Sequence, residues 1–238
     1  MSANKRALVI GATSGIGKEL TLQLEKNGWF VCATGRRQEL LDELRNLSTE
    51  SRITTHCFDV TASDTLEQNL AIAAQLLGGM DLFVVSAGTG FLNPDLDPQK
   101  EQETVTTNVQ AFTALCDWAF RYFLNEDKGH IAAITSVGGL IGEAAAPAYS
   151  ASKAYQIMYL DGLRALARKK RIPTTITEIR PGSVDTAMMK GEGHFWISSA
   201  QKAAALTYEA IAKRKKLQYV SRRWSVIGFF LRIRNLFR

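Results

Sequence analysis

The chain has 238 residues, 46% of them apolar and 22% charged, with a net charge of +6. That suits one α/β domain with a sizeable core. No apolar run reaches the roughly 18–20 residues of a membrane-spanning helix, and MSANKRALVIGATSG turns to glycine and hydroxyl residues too early for a secretory signal. Cys32, Cys57 and Cys116 lie far apart, so no metal is expected; they read as reduced and mostly buried in a cytoplasmic protein. The charge is uneven. No acid follows Glu209, and the nine bases from Lys213 to Arg238 leave the rest of the chain at −3.

The elements alternate along the chain. RALVI (6–10) reads as a strand, followed by glycines and an amphipathic helix over 16–27 closed by Gly28. WFVCAT (29–34) is a strand and 37–47 a helix. RITTHCF (52–58) is a strand, and 65–77 is a helix closed by Gly78-Gly79. DLFVVS (81–86) is a strand, 98–124 holds two helical segments, and HIAAIT (130–135) is a strand. A long helix spans 147–170, TTITEI (174–179) is a strand, 199–213 a helix and LQYVS (217–221) a last strand. Ser198 with Gln201 three residues later predicts a capping box at that last helix. Near-continuous apolar strands between helices predict a seven-stranded parallel sheet covered on both faces, a doubly wound (Rossmann-type) α/β fold. Residues 1–221 form this domain, and 222–238 a basic, apolar C-terminal helix.

The turn GATSGIG sets Gly11, Gly15 and Gly17 between the first strand and helix, with Thr13, Ser14 and Ile16 among them. Glycines let backbone approach a pyrophosphate, and the helix start offers N–H donors to it. A ligand-free tight turn would share the spacing. Strand two ends in Thr34-Gly35-Arg36-Arg37, with no acid for a ribose hydroxyl. Guanidiniums suit a 2′-phosphate, so NADP(H) is expected over NAD(H).

AYSASKAYQ places Tyr149 and Lys153 four apart on one helix face, in small surroundings. A nearby ammonium favours the phenolate, and a tyrosine so tuned can exchange a proton with a carbonyl oxygen. An isolated pair of this kind would more often be packing and a solvated lysine. This pair is not isolated. GATSGIG, Asp59-Val60, Ser86-Ala87-Gly88, Asn108 in TTNVQA, Ser136 in AITSVGG, Tyr149 and Lys153 in YSASK, and Pro181-Gly182 with Val184 and Thr186 in RPGSVDT occur in order. Over about residues 5–221 the chain resembles the short-chain dehydrogenase/reductase family.

The resemblance implies a ketone reductase with Tyr149 as general acid/base. Lys153 would lower the tyrosine's pKa and hold the nicotinamide ribose. Ser136 would hold the substrate oxygen, and Asn108 would kink its helix and hold a water linking Lys153 to solvent. Asp59 and Val60 would frame the adenine, Ala87 and Gly88 would border the cofactor, and Pro181, Gly182, Val184 and Thr186 would line the nicotinamide side. The chain departs from the family at Ile10, where threonine is usual, and at Ser86, where asparagine is usual.

AMMKGEGHFWIS (187–198) then reads as a substrate loop, with Met188, Phe195 and Trp196 as apolar contacts and His194 more a bystander than a handle. Glu143 is placed near the mouth or as a solvated carboxylate. In SRRWSVIGFFLRIRNLFR, Val226, Phe229, Phe230, Ile233, Leu236 and Phe237 gather within about 120° of arc. Three placements follow: on an anionic membrane face, across a partner subunit or the substrate cleft, or docked on its own domain. Nucleic acid is excluded, because the bases alternate with large apolar residues. The expected substrate is a lipophilic ketone such as a keto lipid, and the expected assembly a homodimer or homotetramer. Two alternatives stand beside an enzyme: an NADP(H)-binding sensor, and a membrane-associated scaffold.

Overall fold

The computed structural model describes residues 5–126, 128–186 and 196–235, of which Arg222, Phe229 and 231–235 are described by backbone alone. The strands are β1 (Arg6–Ile10), β2 (Phe30–Gly35), β3 (Ile53–Cys57), β4 (Leu82–Val85), β5 (Gly129–Ile134), β6 (Thr174–Arg180), β7 (Val184–Asp185), β8 (Ser198–Ser199) and β9 (Leu217–Tyr219). The helices are α1 (Gly15–Lys26), α2 (Gln38–Asn46), α3 (Ser63–Leu77), α4 (Pro98–Val105), α5 (Phe112–Leu124), α6 (Pro147–Lys170), α7 (Ala200–Ala212) and α8 (Arg222–Asn235). A π-turn, Thr106–Ala111, joins α4 to α5, and a 3₁₀ turn, Val137–Leu140, follows β5.

Seven strands make one parallel sheet in the order β3-β2-β1-β4-β5-β6-β9. β7 and β8 pair separately, Val184 with Ser198. The order reverses between β1 and β4, the crevice where doubly wound folds bind ligands. Side chains alternate across each strand. In β1, Leu8 and Ile10 enter a core with Leu70, Phe112, Leu115, Phe123 and Leu160 of α3, α5 and α6. Ala7 and Val9 enter the opposite core with Leu20, Leu24, Leu41, Leu44 and Ile211 of α1, α2 and α7. Both faces are therefore dry, which is why the strands read as unbroken apolar runs.

One expectation needs correction. The α7 cap is Ser199, whose Oγ accepts from Lys202 N at 3.2 Å. Ser198 is committed to its pairing with Val184, so the cap falls one residue later than the capping-box reading. The two helical segments expected over 98–124 are α4 and α5, joined by the π-turn that carries Asn108. Cys57 is exposed, at the end of β3, whereas Cys32 and Cys116 are buried; all three are free thiols.

The described part of α8 docks on its own domain. A Cβ at Gly182 would stand 2.0 Å from the Trp224 indole, and one at Gly228 would stand 2.5 Å from the Tyr219 hydroxyl. α8 also packs on the 3₁₀ turn. Val226 and Phe230, one helical turn apart, are exposed. Leu236 and Phe237 lie outside the described residues. Among the described residues no helix is long and apolar enough to cross a membrane.

Candidate active site

The site lies along the carboxyl ends of the central strands. At one end is the glycine turn. Gly11 takes φ +87°, and a Cβ there would stand 2.5 Å from Ala87 N, so only glycine lets β1 turn this close to the chain leaving β4. Gly11 N and Ala12 N donate to Thr34 O at 3.1 and 2.8 Å, and Ser86 N and Ala87 N both donate to Ile10 O. The two departures from the family pattern thus meet through the Ile10 main chain. Thr186 touches the turn, its Cγ2 3.0 Å from a Cβ at Gly15.

Ser14 precedes α1 without capping it. Its Oγ accepts instead from Arg37 Nη2 at 3.1 Å, and Thr13 Oγ1 accepts from the same nitrogen at 2.7 Å. The first N–H groups of α1 and a guanidinium therefore converge without a protein carboxylate between them, which is the donor set an anion needs. Arg36, exposed, turns away toward half-buried Asp59, at 3.8 Å. Asp59 Oδ1 accepts from Thr61 N and Oγ1, and Val60 packs on the core of α3 and α5. A cleft of about 590 Å³ opens beside them, lined by Arg36, Thr61, Gln99, Gln102, Glu103 and Thr107.

At the other end stands Tyr149, in the first turn of α6. Its ring is held between two backbone segments: a Cβ at Gly90 would reach 2.6 Å from Cδ2, and one at Gly138 would lie 3.4 Å from Cε1. Ser136, at the start of the 3₁₀ turn, hydrogen-bonds the phenol and accepts from Gly138 N at 3.0 Å. Val137 N donates to Pro181 O at 2.8 Å, tying that turn to Pro181-Gly182. Burial pushes the Tyr149 phenol above its ordinary pKa, and the Ser136 hydrogen bond offsets only part of the rise. The depression expected from Lys153 is not the net effect. The ammonium stands 5.8 Å from the ring centroid, and loss of water around the phenol outweighs it. Burial also lowers the Lys153 ammonium to about 8.

Lys153 Nζ donates to Ile134 O at 3.2 Å and to Gln156 Oε1 at 3.0 Å. A Cβ at Gly88 would lie 3.6 Å from the same nitrogen. Asn108 is fully buried. Its Oδ1 accepts from Thr89 N, and its Nδ2 donates to Thr89 O and to Ser152 Oγ, at 2.7–3.0 Å. Its main-chain carbonyl, within the π-turn, accepts from Gln156 Nε2 at 2.9 Å. Sequence reasoning missed Thr89, Ser152 and Gln156. For Gln156 a signal existed: it sits three residues after Lys153, on the same helix face.

Tyr149, Ser136, Lys153, Asn108, Gly88 and Pro181-Gly182 thus come together at one end, and Gly11–Gly17 with Arg37 at the other. Arg36 and Asp59 border the second group. Glu143 is exposed, and its N–H donates to Ser150 Oγ. Trp196, at φ +52°, meets Trp224 edge-on at 5.8 Å, with the Arg223 guanidinium over its ring. Met188, His194 and Phe195 lie outside the described residues. Among the described residues no group of His, Cys, Asp and Glu could hold a metal.

A family model described as short chain dehydrogenase matches residues 5–195. An uncharacterized oxidoreductase of Myxococcus xanthus is 34% identical over 189 residues, 77% of this chain and 74% of its own length. One from Staphylococcus aureus strain USA300 is 29% identical over 187 residues, 78% of this chain and 80% of its own. In fold the chain is similar to a crystal structure of an actinorhodin polyketide ketoreductase variant with NADPH, at TM-score 0.76 and 24% identity, over 89% of this chain and 91% of that one. With its glycine turn, its serine, tyrosine and lysine, and the family match spanning all of them, the chain belongs to the short-chain dehydrogenase family.

Proposed function

We propose that the protein reduces a lipophilic ketone to a secondary alcohol with NADPH. The observation that carries this is the phenol of Tyr149, joined to Ser136 and backed by Lys153 at the strand ends, across the crevice from Arg37 and the uncapped start of α1. Gly11–Gly17 and the N–H groups of α1 would hold the pyrophosphate, and Arg37 the 2′-phosphate. Bound NADPH supplies the hydride. Ser136 donates to the substrate oxygen and fixes its place. Tyr149 gives that oxygen its proton, and a phenol kept neutral by burial is the form that reduction requires. Lys153, charged below about 8, steadies the phenolate left behind.

The lipophilic substrate is supported by the wall of Trp196 and Trp224 beside Gly182. The test is turnover against ketones graded by chain length, in the native chain, a Trp224→Ala variant and a chain ending at Ser221. KM falling with chain length, with the gradient flattened in both variants, supports the reading; equal use of short polar ketones by all three refutes it. Assembly is proposed as a homodimer or homotetramer through the faces of α5 and α6, where Met158 is 72% exposed beside the stacked pair Tyr155 and Tyr159. Peripheral membrane contact is a second reading of α8, favoured by the exposed Val226 and Phe230. Co-sedimentation with anionic vesicles, lost on truncation at Ser221, would support it.

A further inference from the structure

Gln156 is fully buried, eight residues into α6 from Ala148, and both ends of its amide are committed. Oε1 faces an ammonium, which can only donate, and Nε2 faces a carbonyl, which can only accept. Turning the amide over would oppose two donors and two acceptors, so donor chemistry alone fixes its orientation. The carbonyl it holds belongs to Asn108, at the π-turn. That oxygen lies within the π-turn Thr106–Ala111. The Lys153 ammonium and the Asn108 carbonyl are thus joined through one α6 side chain.

We propose that Gln156 is a positioning residue that fixes the Lys153 ammonium by bridging it to the π-turn carbonyl of Asn108. Two of the three ammonium protons are then fixed, one on Ile134 O and one on Gln156 Oε1. The third is left toward Gly88 and the crevice. Without Gln156 a nearly buried cation would keep, among the described residues, the Ile134 carbonyl alone, and both its direction and its charge would be less well defended. The groups packed around Lys153 from other elements are Ile134 O of β5, Gly88 after β4 and, through Gln156, the Asn108 carbonyl; Ser152 is neutral. Tyr149, on α6 itself, is the titratable neighbour.

The functional consequence rests on Lys153 serving Tyr149 as proposed above, so the test has one arm that needs no turnover. The Lys153 Cε resonance is followed against pH in protein with ¹³C-labelled lysine and assigned with Lys153→Arg. The native midpoint is expected near 8. Gln156→Met keeps the volume but loses the acceptor, and should lower the midpoint by about one unit. Gln156→Glu should raise it. In the second arm the alkaline limb of kcat/KM moves the same way: for Gln156→Met, activity falls about eightfold relative to native at pH 8.5 and changes little at pH 6. A purely structural role would lower activity equally at all pH values and leave the midpoint in place. That result, or one midpoint shared by all three proteins, overturns the proposal. Should Gln156→Met not fold, Gln156→Glu alone decides by the sign of its shift. A native chain without ketone turnover refutes the functional reading and leaves the resonance arm to decide on Gln156.

Discussion

Replacing Glu178 with leucine should cost about 3–5 kcal/mol of stability, because it leaves the Arg180 guanidinium in the protein interior without its carboxylate. Glu178 and Arg180 lie on one face of β6, two residues apart, with side chains 3% and 0% exposed. Glu178 Oε1 accepts from Arg180 Nε at 2.8 Å, from Arg180 Nη2 at 2.5 Å and from Thr135 Oγ1 at 2.9 Å. Arg164 Nη2 stands 3.9 Å from its other oxygen. After the change Thr135 keeps Ile179 O, and Arg164 keeps Asp161 and two carbonyls. Among the described residues Arg180 keeps the Tyr219 hydroxyl and ring. At about 2–4 °C per kcal/mol for a chain of this size, Tm should fall by roughly 10 °C. Arg180 also leads directly into Pro181-Gly182, so NADPH affinity should weaken with it. The assay is thermal unfolding by circular dichroism on Glu178→Leu, Arg180→Met and the double variant. Removing both charges together should cost less than removing either alone. A single variant within about 1 kcal/mol of native, or a double variant worse than both singles, would refute the reasoning.

Two further outcomes are expected. Arg37→Ala should raise KM for NADPH about 10- to 100-fold, the loss of one or two charge-assisted hydrogen bonds, and leave KM for NADH nearly unchanged; equal changes would remove Arg37 from the 2′-phosphate site. His130 is buried, its Nε2–H donates to Thr177 Oγ1, which is itself a donor to Lys215 O, and burial lowers its pKa to about 4, with the Arg214 charge adding to the effect. The unfolded chain therefore binds a proton near pH 6.5 that the folded chain refuses until about 4. Stability is full above 6.5 and should fall by up to about 3 kcal/mol as the pH drops toward 4. His130→Gln, which keeps the donor and cannot charge, should flatten that slope in urea titrations; an unchanged slope would place the proton elsewhere.

The sheet was legible because its central strands are short apolar runs, RALVI and LFVV: Arg6–Ile10 and the helix Pro147–Lys170 fall where periodicity puts them. Helix ends moved by a residue or two where tertiary pairing overrode local chemistry, as at Ser198, whose place in β8 displaced the cap. The π-turn has no periodic signature of its own; only the resemblance pointed to a kink at Asn108. Gln156 itself stood in plain helical spacing from Lys153, and the pair Glu178 and Arg180 in plain strand spacing. Each was passed over because a polar residue in an amphipathic element reads as solvated until its surroundings are known. The seat of Trp224 on Gly182 joins residues 42 apart, and no local pattern encodes it. The sign of the Tyr149 shift was misjudged for a related reason: spacing places a cation nearby but does not measure how much water the phenol loses.

The most direct test of the account is NADPH oxidation driven by long-chain ketones in the native chain and in Tyr149→Phe. Phenylalanine keeps the ring between Gly90 and Gly138 and removes only the hydroxyl. The account predicts turnover in the native chain and a loss of at least about 100-fold in kcat for the variant, with KM for NADPH within about twofold. A Tyr149→Phe protein that reduces ketones at the native rate would contradict it.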